Sequence, residues 1–97
     1  DNVGYDLLAV SKAERLYIEV KGLSGKSRRV GISPNEYDFF SQCKPSYVLA
    51  IVSEALSNNP RLTLCQYSKK NGDWYVVGDK NAVLKETPKT AAIIEIK

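Results

Sequence analysis

Gly4-Tyr5-Asp6-Leu7-Leu8-Ala9-Val10 and, after a short polar gap, Arg15-Leu16-Tyr17-Ile18-Glu19-Val20-Lys21-Gly22 decide the fold. The second run reads as a strand, so successive side chains point to opposite faces. Leu16, Ile18 and Val20 take one face, and Val20 is expected to anchor the strand in a core. Tyr17, Glu19 and Lys21 take the other, so Glu19 and Lys21 stand side by side. Charged residues are unusual in strands, and placing two beside a buried layer costs desolvation unless they pair or bind an ion. Ser11-Lys12-Ala13-Glu14 has hairpin length. A hairpin of the two runs brings Asp6 next to Glu19. Two carboxylates brought together repel, and one holds a proton unless a cation sits between them. A hard divalent ion, which one or two carboxylates plus waters and a substrate phosphate can bind, meets that need. Lys21 adds a point charge with movable donors.

The Glu-x-Lys spacing alone is weak evidence, because Ile94-Glu95-Ile96-Lys97 repeats it in another strand-like run. Gly78-Asp79 lies upstream of that second copy. Three features favour the first copy. Asp6 directly begins an apolar run, whereas Asp79 sits in a Gly-Asp-Lys-Asn turn string. Gly22 after Lys21 permits a sharp exit. A capped helix and a long apolar run then follow.

That helix starts at Ser33-Pro34-Asn35-Glu36: Ser at N-cap, Pro at N1 and Glu at N3 complete a capping box. It runs to about Cys43, where Lys44-Pro45 stops it, and Tyr37, Phe40 and Cys43, with Phe39 at the margin, line its apolar face. Asn35 and Glu36 sit at the helix entrance, either near a metal or substrate or as plain capping residues. Between strand and helix, Gly22-Leu23-Ser24-Gly25-Lys26-Ser27-Arg28-Arg29 carries three cations. It reads either as a grip on a phosphate backbone through Lys26, Arg28 and Arg29 or as a solvated hairpin tip. Gly22-x-x-Gly25-Lys26-Ser27 is too short for a P-loop and leads into a strand, Val30 to Ile32.

Tyr47-Val48-Leu49-Ala50-Ile51-Val52 is apolar without alternation, which marks a central strand covered on both faces. Further strands are expected at Arg61 to Tyr67, at Trp74 to Val77 after an Asn71-Gly72 turn, at Ala82 to Leu84, and at Ile93 to Lys97. Lys85 to Thr90 reads as a loop around Pro88. Trp74 with Tyr67 and Tyr75 is either a stacking platform for bases or a set of cross-strand pairs.

Composition limits the function classes. The 97 residues make one domain, 43% hydrophobic and 26% charged, as in ordinary soluble globular proteins. A net charge of +3 permits a nucleic-acid partner without requiring one. The absence of His removes histidine-dependent metal sites and Ser-His-Asp triads. Cys43 and Cys65 have no metal-ligand spacing and read as reduced core residues. No run is long enough to span a bilayer and no signal peptide is present, so a cytoplasmic location is expected. Asp rather than Met at residue 1 suggests a piece of a longer protein.

The arrangement Asp6, twelve residues, Glu19-Val20-Lys21 resembles the PD-(D/E)xK, or restriction-endonuclease-like, nuclease superfamily. The wider text, Gly-Tyr-Asp-Leu, Ile-Glu-Val-Lys-Gly, Ile32-Ser33-Pro34-Asn35-Glu36-Tyr37 and Tyr47 to Val52, is similar to the domain family named after the C-terminal part of the plant protein NO VEIN. This likeness covers roughly residues 3 to 53. It implies an α/β fold: a restriction-endonuclease-like mixed sheet with a flanking helix. Strands after residue 60 would extend that sheet or form a meander against it. It implies a magnesium- or manganese-dependent DNA endonuclease, with Asp6, Glu19 and the Val20 carbonyl holding the metal and Lys21 orienting or polarising the attacking water. It also implies a parent protein with helicase, ATPase or methyltransferase parts, in restriction or defence. The superfamily's usual helix before the first strand has no counterpart here and would come from another segment or chain. Two other readings stay open. One is an inactive module on the same fold that binds nucleic acid or a protein. The other is a small β-rich interaction domain in which the trio is chance.

Overall fold

A computed structural model describes residues 4–87 and 92–97. The leading residues 1–3 and the expected loop centre at Pro88 lie outside the described residues. The chain forms a mixed α/β structure of two sheets and one α-helix. In order, its elements are β1 (Leu7–Val10), β2 (Arg15–Gly22), β3 (Arg29–Ile32), α1 (Pro34–Gln42), a 3-10 turn (Lys44–Ser46), β4 (Tyr47–Ser53), β5 (Arg61–Ser68), β6 (Asp73–Val76), β7 (Leu84–Thr87) and β8 (Ala92–Ile96).

The larger sheet has the order β1-β2-β4-β5-β6. β1 and β2 form the expected antiparallel hairpin, from Leu7↔Ile18 to Val10↔Arg15. The Ser11 hydroxyl holds its turn, accepting from the N–H groups of Ala13 and Glu14. β2 and β4 are parallel, with Glu19 opposite Leu49 and Lys21 opposite Ile51. A parallel pair needs a long crossover, here made by β3 and α1. β5 and β6 continue the sheet antiparallel beyond β4, with Ile51 opposite Thr63 and Tyr67 opposite Trp74.

β3 does not join this sheet. It pairs with β8, and β8 pairs with β7, in a separate three-stranded sheet. Val30, Ile32, Ala92, Ile94 and Ile96 turn inward and pack with Phe40, Leu49 and Ile51 into one core. β7 therefore takes residues 85–87 of the expected loop Lys85 to Thr90, whose remainder lies outside the described residues, and it begins where the short strand Ala82 to Leu84 was expected to end. The alternation of β8 decides its place. Three small or branched apolar residues bury one face, and Glu95 lies on the other between Arg29 and Lys85. The second Glu-x-Lys copy thus belongs to a cross-strand row of opposite charges.

β2 alternates as its sequence requires, but the covered face is the reverse of the expected one. Glu19 is 3% exposed, whereas Val20 is 40% exposed. Leu16 and Ile18 are half-buried, and on the same outer face Leu7 and Leu62 lie open. The inner face is chosen by what stands above it. Phe39 of α1 contacts the Tyr5, Tyr17 and Tyr47 rings at 5.3, 4.8 and 6.2 Å between centroids. The four rings form a cluster whose lost area outweighs three aliphatic side chains left at a sheet surface.

The helix begins as its sequence predicts. The Ser33 hydroxyl accepts from the Glu36 N–H, and the Glu36 carboxylate accepts from the Ser33 N–H. Phe40 is fully buried and stacks on Trp74, 4.2 Å between centroids and 10° between planes. Trp74 also meets Tyr67 edge-on across the β5–β6 pair. These aromatics are core and cross-strand packing rather than an open platform.

Candidate active site

β1 and β2 set the first two members. β1 pairs with β2 as far as Leu7↔Ile18, and Asp6 immediately precedes it, close enough to Glu19 for its charge to act on that carboxyl. The Asp6 N–H donates to the Ile18 carbonyl at 2.8 Å, one residue off the β1–β2 register, so the chain leaves the ladder at this point. The exposed Asp6 carboxylate accepts from the Val20 N–H at 2.8 Å. Strand alternation sends the Val20 carbonyl toward the same edge as its N–H, so Asp6 and the Val20 backbone share one edge of β2.

Glu19 lies inside that edge, beneath α1. Its Oε2 is 3.3 Å from Lys21 Nζ. Its Oε1 is buried and has no hydrogen-bond partner among the described residues. Lys21 Nζ also donates to Glu36 Oε1 at 2.9 Å. Glu36 is thus two things at once: the N3 member of the capping box and the second anchor of the lysine. Capping alone does not describe it. Asn35, the other residue expected at the helix entrance, is exposed on the first turn.

The electrostatics follow from this packing. Burial, followed by the neighbouring charge of Glu36, raises the Glu19 carboxyl to about 7; Asp6 adds to the rise and Lys21 opposes it. Burial acts the same way on Glu36 but is outweighed by the hydrogen bonds from Lys21 and the Ser33 N–H, which hold it down at about 2. For Lys21, burial would favour the neutral amine; the Glu36 hydrogen bond and the two carboxylates overcome this and raise its pKa. Near neutral pH the site holds a charged lysine, a charged Glu36 and a Glu19 that can exchange its proton. Burial also raises the Tyr47 hydroxyl, and the Asp6, Glu19 and Glu36 charges reinforce it.

The donor set suits a hard cation. Glu19 Oε1 is a buried oxygen without a hydrogen-bond partner among the described residues, the Asp6 carboxylate is held nearby on the Val20 N–H, and the Val20 carbonyl faces the same edge as that N–H. Among the described residues no three His, Cys, Asp or Glu side chains form a closed cage. Magnesium needs none: it keeps waters and takes one or two carboxylates plus a substrate phosphate.

The basic loop divides. Leu23 N–H donates to the Val52 carbonyl, Glu54 N–H to Gly25, and Ala55 N–H to Leu23, which fixes the loop against the end of β4. Lys26 and Arg28 line a cleft of about 430 Å³ there, together with Arg61. Arg29 is not brought to it; it begins β3, opposite Glu95. The contribution of Arg61 was not legible in the sequence, because it enters from the far end of another strand. The dual role of Glu36 had a signal, its capping-box position, but the lysine partner arrives from 15 residues away.

A family model described as Protein NO VEIN, C-terminal, matches residues 1–65. That span contains Asp6, Glu19, Lys21 and Glu36 and runs past Val52 to the middle of β5. No curated protein matches the chain, and no solved structure matches it. Among the described residues no helix is long and apolar enough to cross a membrane.

Proposed function

The chain belongs to the NO VEIN C-terminal family, and on that footing we propose that it is a restriction-endonuclease-like, divalent-metal-dependent nuclease domain that hydrolyses phosphodiesters of DNA. The observation that supports this most is the Glu19 carboxylate: buried, with one oxygen unpartnered, beside a lysine and within electrostatic reach of Asp6. A purely structural Glu–Lys pair gains little from leaving a buried oxygen unsatisfied.

Asp6, Glu19 and the Val20 carbonyl would hold magnesium or manganese. Such an ion supplies Lewis-acid stabilisation of phosphoryl charge and a more acidic bound water. The protein's own groups do the rest. Lys21, held between Glu19 and Glu36, presents an ammonium group to a developing phosphoryl oxygen or to the attacking water. Glu36 keeps that ammonium charged and in place. Glu19, with its raised pKa, must shed its proton before a cation binds, so metal uptake releases a proton near neutral pH.

A second reading is supported by the Glu19–Lys21–Glu36 ion pairs, which account for most of the charge without a metal. It makes the domain an inactive nuclease-like module that binds nucleic acid or a protein partner. Manganese titration, followed by paramagnetic broadening of amide resonances, separates the two. Under the nuclease reading, broadening centres on residues 6 and 19–21 and is lost in Glu19→Ala, as is magnesium-dependent plasmid nicking. Wild-type chain that shows no localised broadening rules the nuclease reading out.

A further inference from the structure

The cleft beside the basic loop carries an inference that rests on the nuclease reading and extends it to a second part of the substrate. We infer that Lys26, Arg28 and Arg61 form a phosphate subsite that holds the nucleic-acid backbone away from the bond to be cut. The cleft of about 430 Å³ is also lined by Ser53 and Thr63. Its three cations come from separate segments, the basic loop and the start of β5, so their convergence is a product of folding. Among the described residues no carboxylate lies within ion-pair distance of any of them. Of the two acidic residues on the wall, Asp79 directs Oδ1 to the N–H groups of Asn81 and Ala82 in its own turn. Glu54, the other, forms no ion pair with the three cations.

Arg28 is half-buried, with Nη1 3.5 Å from the Thr63 hydroxyl. Arg28, with Arg61, Lys26 and the Ser53 and Thr63 hydroxyl groups on the same lining, supplies the fork-shaped donors and positive charge that bind a phosphate oxyanion. The position matches a polynucleotide. Lys21 lies opposite Ile51, and Ile51 lies opposite Thr63, all on one sheet face. Two strand spacings, about 10 Å, separate Lys21 from Thr63 within the sheet, and because Ile51 between them is fully buried, a nucleic-acid strand joining the two positions runs around that core by a longer path. Three backbone hydrogen bonds fix Leu23 and Gly25 of the loop against the end of β4, which reduces the backbone ordering that a ligand must impose.

The test uses the 97-residue chain and two probes: inorganic phosphate, and a 5′-phosphorylated oligothymidylate read by fluorescence anisotropy at several salt concentrations. Phosphate should shift the amide resonances of Thr63 and Val76. Arg28→Gln and Arg61→Gln should each weaken oligonucleotide binding about tenfold and lower the salt slope by about 0.7. Arg28→Lys should recover part of the loss. Lys70→Gln, in the exposed β5–β6 turn, should bind as wild type. Equal binding by wild type and the two arginine variants, with all chains folded by circular dichroism, overturns the subsite. So does an equal loss in Lys70→Gln, which would mean diffuse attraction. Manganese binding by Glu19 is measured separately: its failure with the phosphate result intact removes the hydrolytic reading and leaves the cleft.

Discussion

Replacing Glu19 by Gln should make the protein more stable at pH 8 and change its stability little at pH 4. The wild-type carboxyl is buried and its pKa is raised from 4.5 to about 7. Below pH 4.5 it is protonated both folded and unfolded and contributes no pH dependence. Between pH 4.5 and 7 the folded chain keeps a proton that the unfolded chain has lost, so unfolding free energy falls as pH rises. Above pH 7 the full cost is present. Raising the carboxyl from 4.5 to about 7 is worth at most about 3–4 kcal/mol, and water drawn to the charged form should reduce this to about 1–2 kcal/mol. Gln keeps the shape without the charge, and Lys21 retains Glu36 at 2.9 Å. The assay is urea denaturation of both chains from pH 4 to pH 8, in chelator so that no cation favours the charged form. The difference between the two curves is the readout, since the remaining acids are common to both. Parallel curves, or a variant that loses stability relative to wild type as pH rises, would show that Glu19 is not a buried carboxyl under strain.

Other consequences concern packing and reactivity. Phe40→Ala should cost about 3–5 kcal/mol and red-shift the Trp74 emission, since Phe40 is fully buried and stacked on that indole; thermal denaturation and fluorescence check both. Gly4→Ala should destabilise by about 1–3 kcal/mol in the same denaturation assay, because Gly4 has φ +97° and an added Cβ would lie 2.8 Å from the Phe39 Cβ. Cys65 should resist a thiol reagent in native buffer while Cys43 reacts first. Cys65 is fully buried and burial pushes its thiol up to about 11, whereas Cys43 is partly exposed; mass spectrometry after brief labelling reads the order.

The sequence by itself determined the local elements and one side of the candidate site. The gap Ser11–Glu14 made a hairpin, and that hairpin brought the Asp6 carboxylate to the Val20 N–H beside Glu19. Ser33, Pro34 and Glu36 started the helix through hydrogen bonds closed within four residues. Such signals are legible because both partners lie in one short window.

Tertiary structure decided which face each element buries and which distant groups meet. Alternation along β2 separates two faces but does not say which is covered. The Phe39 ring, brought over by α1, selected the one with Tyr17, Glu19 and Lys21. The same packing joined Glu36 to Lys21, drew β3 into a second sheet with β8, and collected Arg28 and Arg61 in one cleft. Each of these pairings depends on surface removed from water between segments far apart in the chain, and no local pattern records that area.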